Sequence, residues 1–182
     1  MIHDHDVPKI VFAGPVGAGK TTAIRSVSDI APVSTDVPML EEPTGDKTTT
    51  TVALDFSTVE LDDGTLLHLF GMPGQDHFEF MRAIVLEGAL GVVLVLDGSG
   101  AGVAEDCRRW VASLRDHAPD VPGVVGITHT DQAPDFDLSR IRAVLRELGA
   151  TLPVQTFDAR ESGETTQVLR ALVAMALVDV GS

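Results

Sequence analysis

Lys9-Ile10-Val11-Phe12-Ala13-Gly14-Pro15-Val16-Gly17-Ala18-Gly19-Lys20-Thr21-Thr22 is the stretch that decides the fold. Lys9–Ala13 is a short apolar run between Pro8 and Gly14, and it reads as a buried strand. From Lys20 to Ile30 the spacing turns helical, with Ala23, Ile24 and Val27 on one side. Between the two, Gly14–Thr21 fits G-x-x-x-x-G-K-[ST] at every fixed position. Glycines let consecutive N–H groups turn inward as an anion nest, and the start of the helix adds partial positive charge. Gly14, Val16, Gly17, Ala18, Gly19 and Thr22 are therefore candidate nucleotide-binding positions. Lys20 is expected to reach the β- and γ-phosphates, and the Thr21 hydroxyl to ligate Mg2+, which favours oxygen ligands. The motif alone does not choose between ATP and GTP. Its bland alternative is a glycine-rich turn with no ligand.

Outward from this stretch, strand-like and helix-like segments alternate. Val52–Leu61 and Thr65–Phe70 read as strands joined by the hairpin turn Asp62-Asp63-Gly64. Ala89–Asp97, Gly123–Thr128 and Val154–Phe157 read as further strands. Asp76–Glu87, Val103–His117, Asp137–Leu148 and Gly163–Val180 read as helices, with Asp137 or Ser139 near one N-cap and Gly149 after that helix. Ala31–Thr51, rich in proline and threonine, shows no periodicity and is expected to be a functional or mobile loop. The order implies an α/β fold: a mostly parallel, six-stranded sheet with one antiparallel edge strand and helices on both faces. One domain over residues 1–182, with a core of about 8–180, is expected.

Bulk properties narrow the function classes. The chain has 182 residues, 44% of them hydrophobic, so it can bury a sizeable core. Thirteen Lys and Arg against 27 Asp and Glu give a formal charge of −14, which argues against nucleic acid as a partner. Cys107 is the single cysteine, so neither an intrachain disulfide nor a cysteine-rich metal site is available. A reducing cytoplasm is expected. The polar start Met1–Asp6 lacks the layout of a signal peptide, and neither terminus signals a lipid anchor. His3 and His5 read as a frayed polar terminus rather than a metal site.

Four further segments occur in an order that resembles Ras-like GTPases. Thr51-Val52-Ala53-Leu54-Asp55-Phe56 is similar to the first switch, where Thr51 would ligate Mg2+ and sense the γ-phosphate. Gly71-Met72-Pro73-Gly74-Gln75 resembles the second switch. There Gly74 would offer its N–H to the γ-phosphate, and Gln75 would orient the attacking water, as in the familiar Ras case. The family's aspartate at the start of this motif is Gly71 here. Asp55 on the neighbouring strand is either a substitute acting through water or a plain edge-strand acid. Thr128-His129-Thr130-Asp131 stands where the family carries N-K-x-D. Asp131 could accept two hydrogen bonds from guanine that adenine cannot supply. His129 could stack on the base. In Asp158-Ala159-Arg160, similar to the family's S-A-K element, Ala159 would offer its N–H to the guanine oxygen.

The resemblance covers about residues 8–180 and points to the actinobacterial conservon GTPases, which are similar to the mycobacterial fluoroquinolone-resistance operon GTPase and more distantly to MglA. It implies GTP and GDP as ligands, Mg2+ as cofactor, Gln75 and Lys20 as catalytic groups, and Arg160 at the nucleotide. It further implies a roadblock-type protein and a sensor histidine kinase as partners. No arginine lies between Ser26 and Met81, so a finger in cis is absent from the first switch. Arg82 is either the nearest finger or a surface helix residue. Val16 would crowd a finger supplied in trans, so slow hydrolysis is expected. Phe78, Phe80 and Met81 are either a partner surface or packing residues, and Trp110 and Cys107 read as packing. Two rivals remain: a nucleotide-bound scaffold with negligible hydrolysis, and an ATP-using P-loop enzyme such as a small-molecule kinase.

Overall fold

A computed structural model describes residues 7–28, 33–40 and 49–179. All six expected strands are present: β1 (Lys9–Ala13), β3 (Thr49–Glu60), β4 (Leu66–Gly71), β5 (Ala89–Asp97), β6 (Gly123–Thr128) and β7 (Val154–Thr156). A seventh, β2 (Val33–Leu40), lies inside the segment expected to be irregular. The sheet order is β2-β3-β4-β1-β5-β6-β7. β1 runs parallel to β4 and β5, β5 to β6, and β6 to β7, whereas β3 is antiparallel to both β4 and β2.

β2 corrects the expectation of a loop over residues 31–51. Its residues pair in register with β3, Pro38 opposite Thr51. A proline lacks the N–H of a ladder, and its place on the sheet's outermost strand is where that loss is tolerated. β2 also makes β3 an internal strand.

The helices are α1 (Lys20–Val27), α2 (Arg82–Leu86), α3 (Val103–His117), α4 (Leu138–Glu147) and α5 (Ser162–Asp179). α1 ends at Val27, capped by extended Ser28, short of the expected Ile30. The expected helix after the second switch is shorter as well. It is a 3-10 turn, Asp76–Met81, followed by α2. α4 starts as expected, with the Asp137 carboxylate accepting from Ser139 N at 2.8 Å. Among the described residues no helix is long and apolar enough to cross a membrane.

Alternation along the central strands explains their unbroken apolar runs. Val11, Ala13, Val92, Leu94 and Leu96 face one core, with Met81 of the 3-10 turn and Val85, Trp110 and Ile141 from α2, α3 and α4. Ile10, Phe12, Val93 and Val95 face the other, with Ile24, Val168 and Leu172 from α1 and α5. Both faces are covered, so the interior positions of β1 and β5 are apolar or glycine on either side. The carboxyl ends of β1, β5 and β6 then converge on one edge, where α/β sheets of this kind bind ligands.

Candidate functional site

The phosphate loop leaves β1 at Gly14 and enters α1 at Lys20. Gly14 has φ 141°, and a Cβ there would lie 2.0 Å from Val95 O, so only glycine fits against β5. Gly19, at φ 102°, precedes the helix without any side-chain cap, which leaves the first N–H groups of α1 facing the loop. Lys20 is 9% exposed, and its ammonium donates to Gly14 O and Pro15 O, each at 2.7 Å. Burial lowers its pKa to about 8, against the opposing pull of Asp55. Ala18 is fully buried, Gly17 and Thr22 are exposed, and Val16 is 66% exposed.

Asp55 is not an edge-strand acid. β3 is internal, and the register sets Asp55 opposite Gly71. The Thr21 hydroxyl donates to Asp55 Oδ2. A Cβ on Gly71 would lie 3.1 Å from Asp55 Cβ, 3.3 Å from its Oδ2 and 3.3 Å from Ile24 Cδ1. The carboxylate thus stands where a side chain at position 71 would project, carried by the adjacent strand. A hydroxyl and a carboxylate side by side are the oxygen donors that Mg2+ prefers, and the residues present fit that ion.

Residues 71–78 form the other wall of the same cleft. Its volume is about 440 Å³, and its lining includes Val16, Lys20, Thr21, Asp55, Gly74 and Gln75. Gly74 lies directly on the phosphate loop, since a Cβ there would be 2.5 Å from Val16 N and 2.7 Å from Pro15 C. Gln75 is exposed at the start of the 3-10 turn, and its carbonyl accepts from Phe78 N at 3.1 Å. Thr51 falls within β3, and its side chain lies outside what the structure describes.

Arg82 is neither a finger nor a surface residue. It is 6% exposed, its guanidinium lies 4.1 Å from the Trp110 ring centroid, and it bonds Ser113 Oγ and pairs with Glu79 at 3.5 Å. The long apolar stem and the flat cation both find partners in the core beside α3. Met81, Cys107 and Trp110 are buried, whereas Phe80 is 43% exposed and Phe78 is half-buried.

The tip of β6 and the turn after β7 flank the phosphate loop at Gly19. Thr128 is 1% exposed, and its hydroxyl reaches Ala18 O at 2.6 Å and Leu96 O at 3.2 Å, tying β6 to the phosphate loop. Ala159 and Thr128 both flank Gly19, at 3.4 and 3.6 Å from the position of a Cβ there. His129 takes the left-handed conformation, φ 55°, and its Nδ1 lies 3.1 Å from Asp97 Oδ1. Burial pushes the Asp97 carboxyl up, but bonds from Ser99 and His129 outweigh it and hold it below the usual range. Arg160 grips Asp158 with Nε and Nη2 at 2.6–3.1 Å, and its Nη2 lies 3.5 Å from Asp131 Oδ2. The bonds from Arg160 lower the Asp158 pKa to about 2.

The structure therefore gathers Lys20, Thr21, Gly74 and Gln75 in one cleft, and it sets Thr128 and Ala159 beside Gly19, His129 next to Asp97 and Asp131 near Arg160. Sequence reasoning missed Asp97 and the grip of Asp158. An acid closing an apolar strand just ahead of Gly98-Ser99-Gly100 was the available signal for Asp97.

A profile of the family described as "Conserved hypothetical ATP binding protein" matches residues 32–179, a stretch that begins after the phosphate loop. "Uncharacterized protein MJ1339" of Methanocaldococcus jannaschii is 31% identical over 137 residues, 75% of this chain and 78% of that protein. "Ras-related protein Rab-8A" of Gallus gallus is 30% identical over 121 residues, 64% of this chain and 53% of that protein. "Ras-related protein RAB1BV" of Beta vulgaris is 28% identical over 115 residues, 62% of this chain and 48% of that protein. The chain spans about half the length of the Rab relatives it matches.

Proposed function

The chain belongs to the family described as "Conserved hypothetical ATP binding protein", and we propose that within it this protein is a Ras-like, guanine-nucleotide-binding switch with slow intrinsic hydrolysis. The observation that carries the reading is the convergence on one phosphate loop of Lys20, the Thr21–Asp55 pair and Gly74 with Gln75. Loop N–H groups and the start of α1 hold the phosphates, and protonated Lys20 turns from its carbonyls to their oxygens. Thr21 and Asp55 would hold Mg2+, which would supply charge neutralisation at the phosphates. Gln75 orients water at the γ-phosphate. Asp131 reads the guanine edge, with the Ala159 N–H toward its oxygen.

Slow turnover follows from what faces the cleft. Arg82 is engaged with Trp110, and Val16 covers the approach a trans finger would use. Single-turnover GTP hydrolysis without partners should stay far below about 1 s⁻¹, as for unaided Ras. A rate at or above that value rejects the slow switch, and no measurable rate leaves the nucleotide-bound scaffold. The family description and the Rab likeness point to different bases. Calorimetric titration with GTP, GDP and ATP in Mg2+ decides between them, and equal affinity for ATP and GTP would remove Asp131 from the reading. A cytoplasmic setting, a roadblock-type partner and a sensor histidine kinase complete the proposal, on the family resemblance. Co-elution with a roadblock-type protein encoded beside it tests the first of those partners.

A further inference from the structure

Acids outnumber bases 27 to 13 in this chain, so an exposed arginine readily finds a carboxylate. Arg108 pairs with Glu105 and Glu147, Arg109 with Asp76 and Asp106, Arg160 with Asp158, and Arg170 with Asp62. Among the described residues, Arg25 of α1 and three arginines of α4, Arg140, Arg142 and Arg146, are exposed and have no ion pair or side-chain hydrogen bond. Asp137 feels the charge of Arg140 and Arg142, but its two oxygens are bonded to Ser139. Arg142 and Arg146 stand one helical turn apart and line one open groove of about 490 Å³. Its apolar floor is Leu145, Leu152 and Pro153, with Met175 from α5. Leu145 is buried, and Leu152 and Met175 are half-buried. β7 begins at Val154, so the groove lies at the amino end of that strand, away from the edge where the carboxyl ends of β1, β5 and β6 converge.

The helix itself favours a cation in its last turn, which accounts for Arg146. Arg142 is mid-helix, and the dipole gives no reason for it. Neither guanidinium serves as a cap, because Arg115 takes the carbonyls of Leu148 and Gly149, and Ala150 N donates to Leu145 O. Two unpaired guanidiniums over a recessed apolar floor call for an occupant with both properties. A carboxylate can meet each guanidinium through two parallel hydrogen bonds. An apolar side chain between the carboxylates would cover the floor, where the flexible Met175 adapts to its shape. At physiological salt, screening limits the reach of the remaining acidic charge to about 8 Å, so a docked carboxylate responds first to these two arginines. The floor is sunken between two helices, a shape that a protruding helix fills and a flat lipid surface does not. We propose that the groove between the end of α4 and α5 docks an acidic amphipathic helix of a partner protein, with two carboxylates one turn apart on either side of an apolar residue. The docking makes no use of the nucleotide cleft, so this proposal and the switch reading fail separately.

The test titrates the full chain with a blocked, alanine-rich helical peptide of about sixteen residues, followed by backbone amide shifts. The peptide carries two Glu one turn apart with a Leu between them. Saturable shifts at Leu145, Arg146, Thr151, Leu152 and Met175 are expected. Exchanging both Glu for Gln in the peptide should weaken binding about tenfold or more, and so should Arg142→Gln with Arg146→Gln in the chain. Making both changes together should cost little beyond either one, because each removes the same pairs. Raising salt from about 0.01 M to about 1 M, which shortens the screening length roughly tenfold, should weaken the Glu peptide and leave the Gln peptide unchanged. Unsaturable shifts, equal binding of the two peptides, or full affinity in the double variant overturn the proposal. So do shifts centred on the exposed Ile84, Leu177 or Val178. Vesicles of phosphatidylserine that bind the chain through Arg142 and Arg146 when the Glu peptide does not would also overturn it, and would make the patch a lipid contact.

Discussion

The phosphate half and the base half of the cleft are built on different principles. In the phosphate half, the polar contacts gather on the loop and the start of α1. Lys20 bonds its carbonyls, Thr21 bonds Asp55, and Gly74 packs on its backbone. In the base half the polar groups turn toward one another. His129 leans on Asp97, and Arg160 grips Asp158 and leans on Asp131. On the proposed function, the first half would receive an anion, whereas in the second a base would compete with the contacts already made. Affinity should therefore come mostly from the phosphates, and selectivity should be modest.

Lys20→Ala probes the stronger half and carries the largest expected effect. Truncating one partner of a buried charge pair costs about 2–5 kcal/mol, or roughly thirtyfold to several-thousandfold in affinity. Calorimetry with GDP should show a loss in this range. A loss smaller than that caused by Asp131→Ala would reverse the comparison and make the base half dominant.

Next in size is the acid beside Thr21. Asp55→Ala should weaken Mg2+ support of nucleotide binding by about 10–100-fold, the usual effect of losing a group that steadies a metal site. Measuring GDP affinity against Mg2+ concentration checks this. Gly71→Asp should not improve the site. Its side chain would enter the space held by Asp55 and Ile24, and overpacking costs about 1–3 kcal/mol, visible as a lowered melting temperature. If Gly71→Asp tightens Mg2+ binding while Asp55→Ala leaves it unchanged, the acid has not moved strands.

pH acts on the same half with a smaller effect and two opposite signs. Lys20 in the empty loop titrates near 8, below its ordinary 10.5, because burial disfavours the cation. Bound phosphate needs it protonated. Nucleotide affinity should therefore fall about fourfold between pH 7 and 8.5. Unfolding shows the other sign. Between about 8 and 10.5 the unfolded chain binds the proton that the folded one has lost, so this residue's contribution raises stability as pH climbs through that window. Affinity that is flat to pH 9 would mean the ammonium stays charged in the empty loop.

The same division governs what the sequence could tell. The phosphate loop, the hairpin and the central strands were legible because they are local. A fixed glycine spacing, an Asp-Gly turn and an apolar run each carry their own physics. β2 was not, since Val33–Leu40 mixes Ser, Thr, Asp and Pro without alternation and becomes a strand by pairing with β3. Asp55 was visible only as two alternatives, because its role depends on which residue lies opposite it across β4. The contacts of Asp97 with His129, of Arg160 with Asp131 and of Arg82 with Trp110 join distant parts of the chain, so no window of sequence contains both partners. At Gly71 and His129, where the chain departs from the motif, the fold shows which side chains lie beside them, Asp55 at the one and Asp97 at the other.

Arg160→Ala tests the weaker half and carries the smallest effect. Its side chain and that of Asp131 are 65% and 59% exposed, and their separation is 3.5 Å. Exposed pairs of this kind contribute about 0–1 kcal/mol, so the competition they impose on a base is at most roughly fivefold. Removing the guanidinium should free Asp131 and tighten GTP by up to that factor, with ATP unchanged. The hold on Asp158 is no part of this, because Asp158 keeps Glu164 on its backbone N–H at 2.7 Å. A double-mutant cycle with Asp131→Asn isolates the term, since Arg160→Ala should have no effect once position 131 carries no charge. Weaker binding of both nucleotides in Arg160→Ala would show the guanidinium lying over the base as a support, and the two halves would then be built alike.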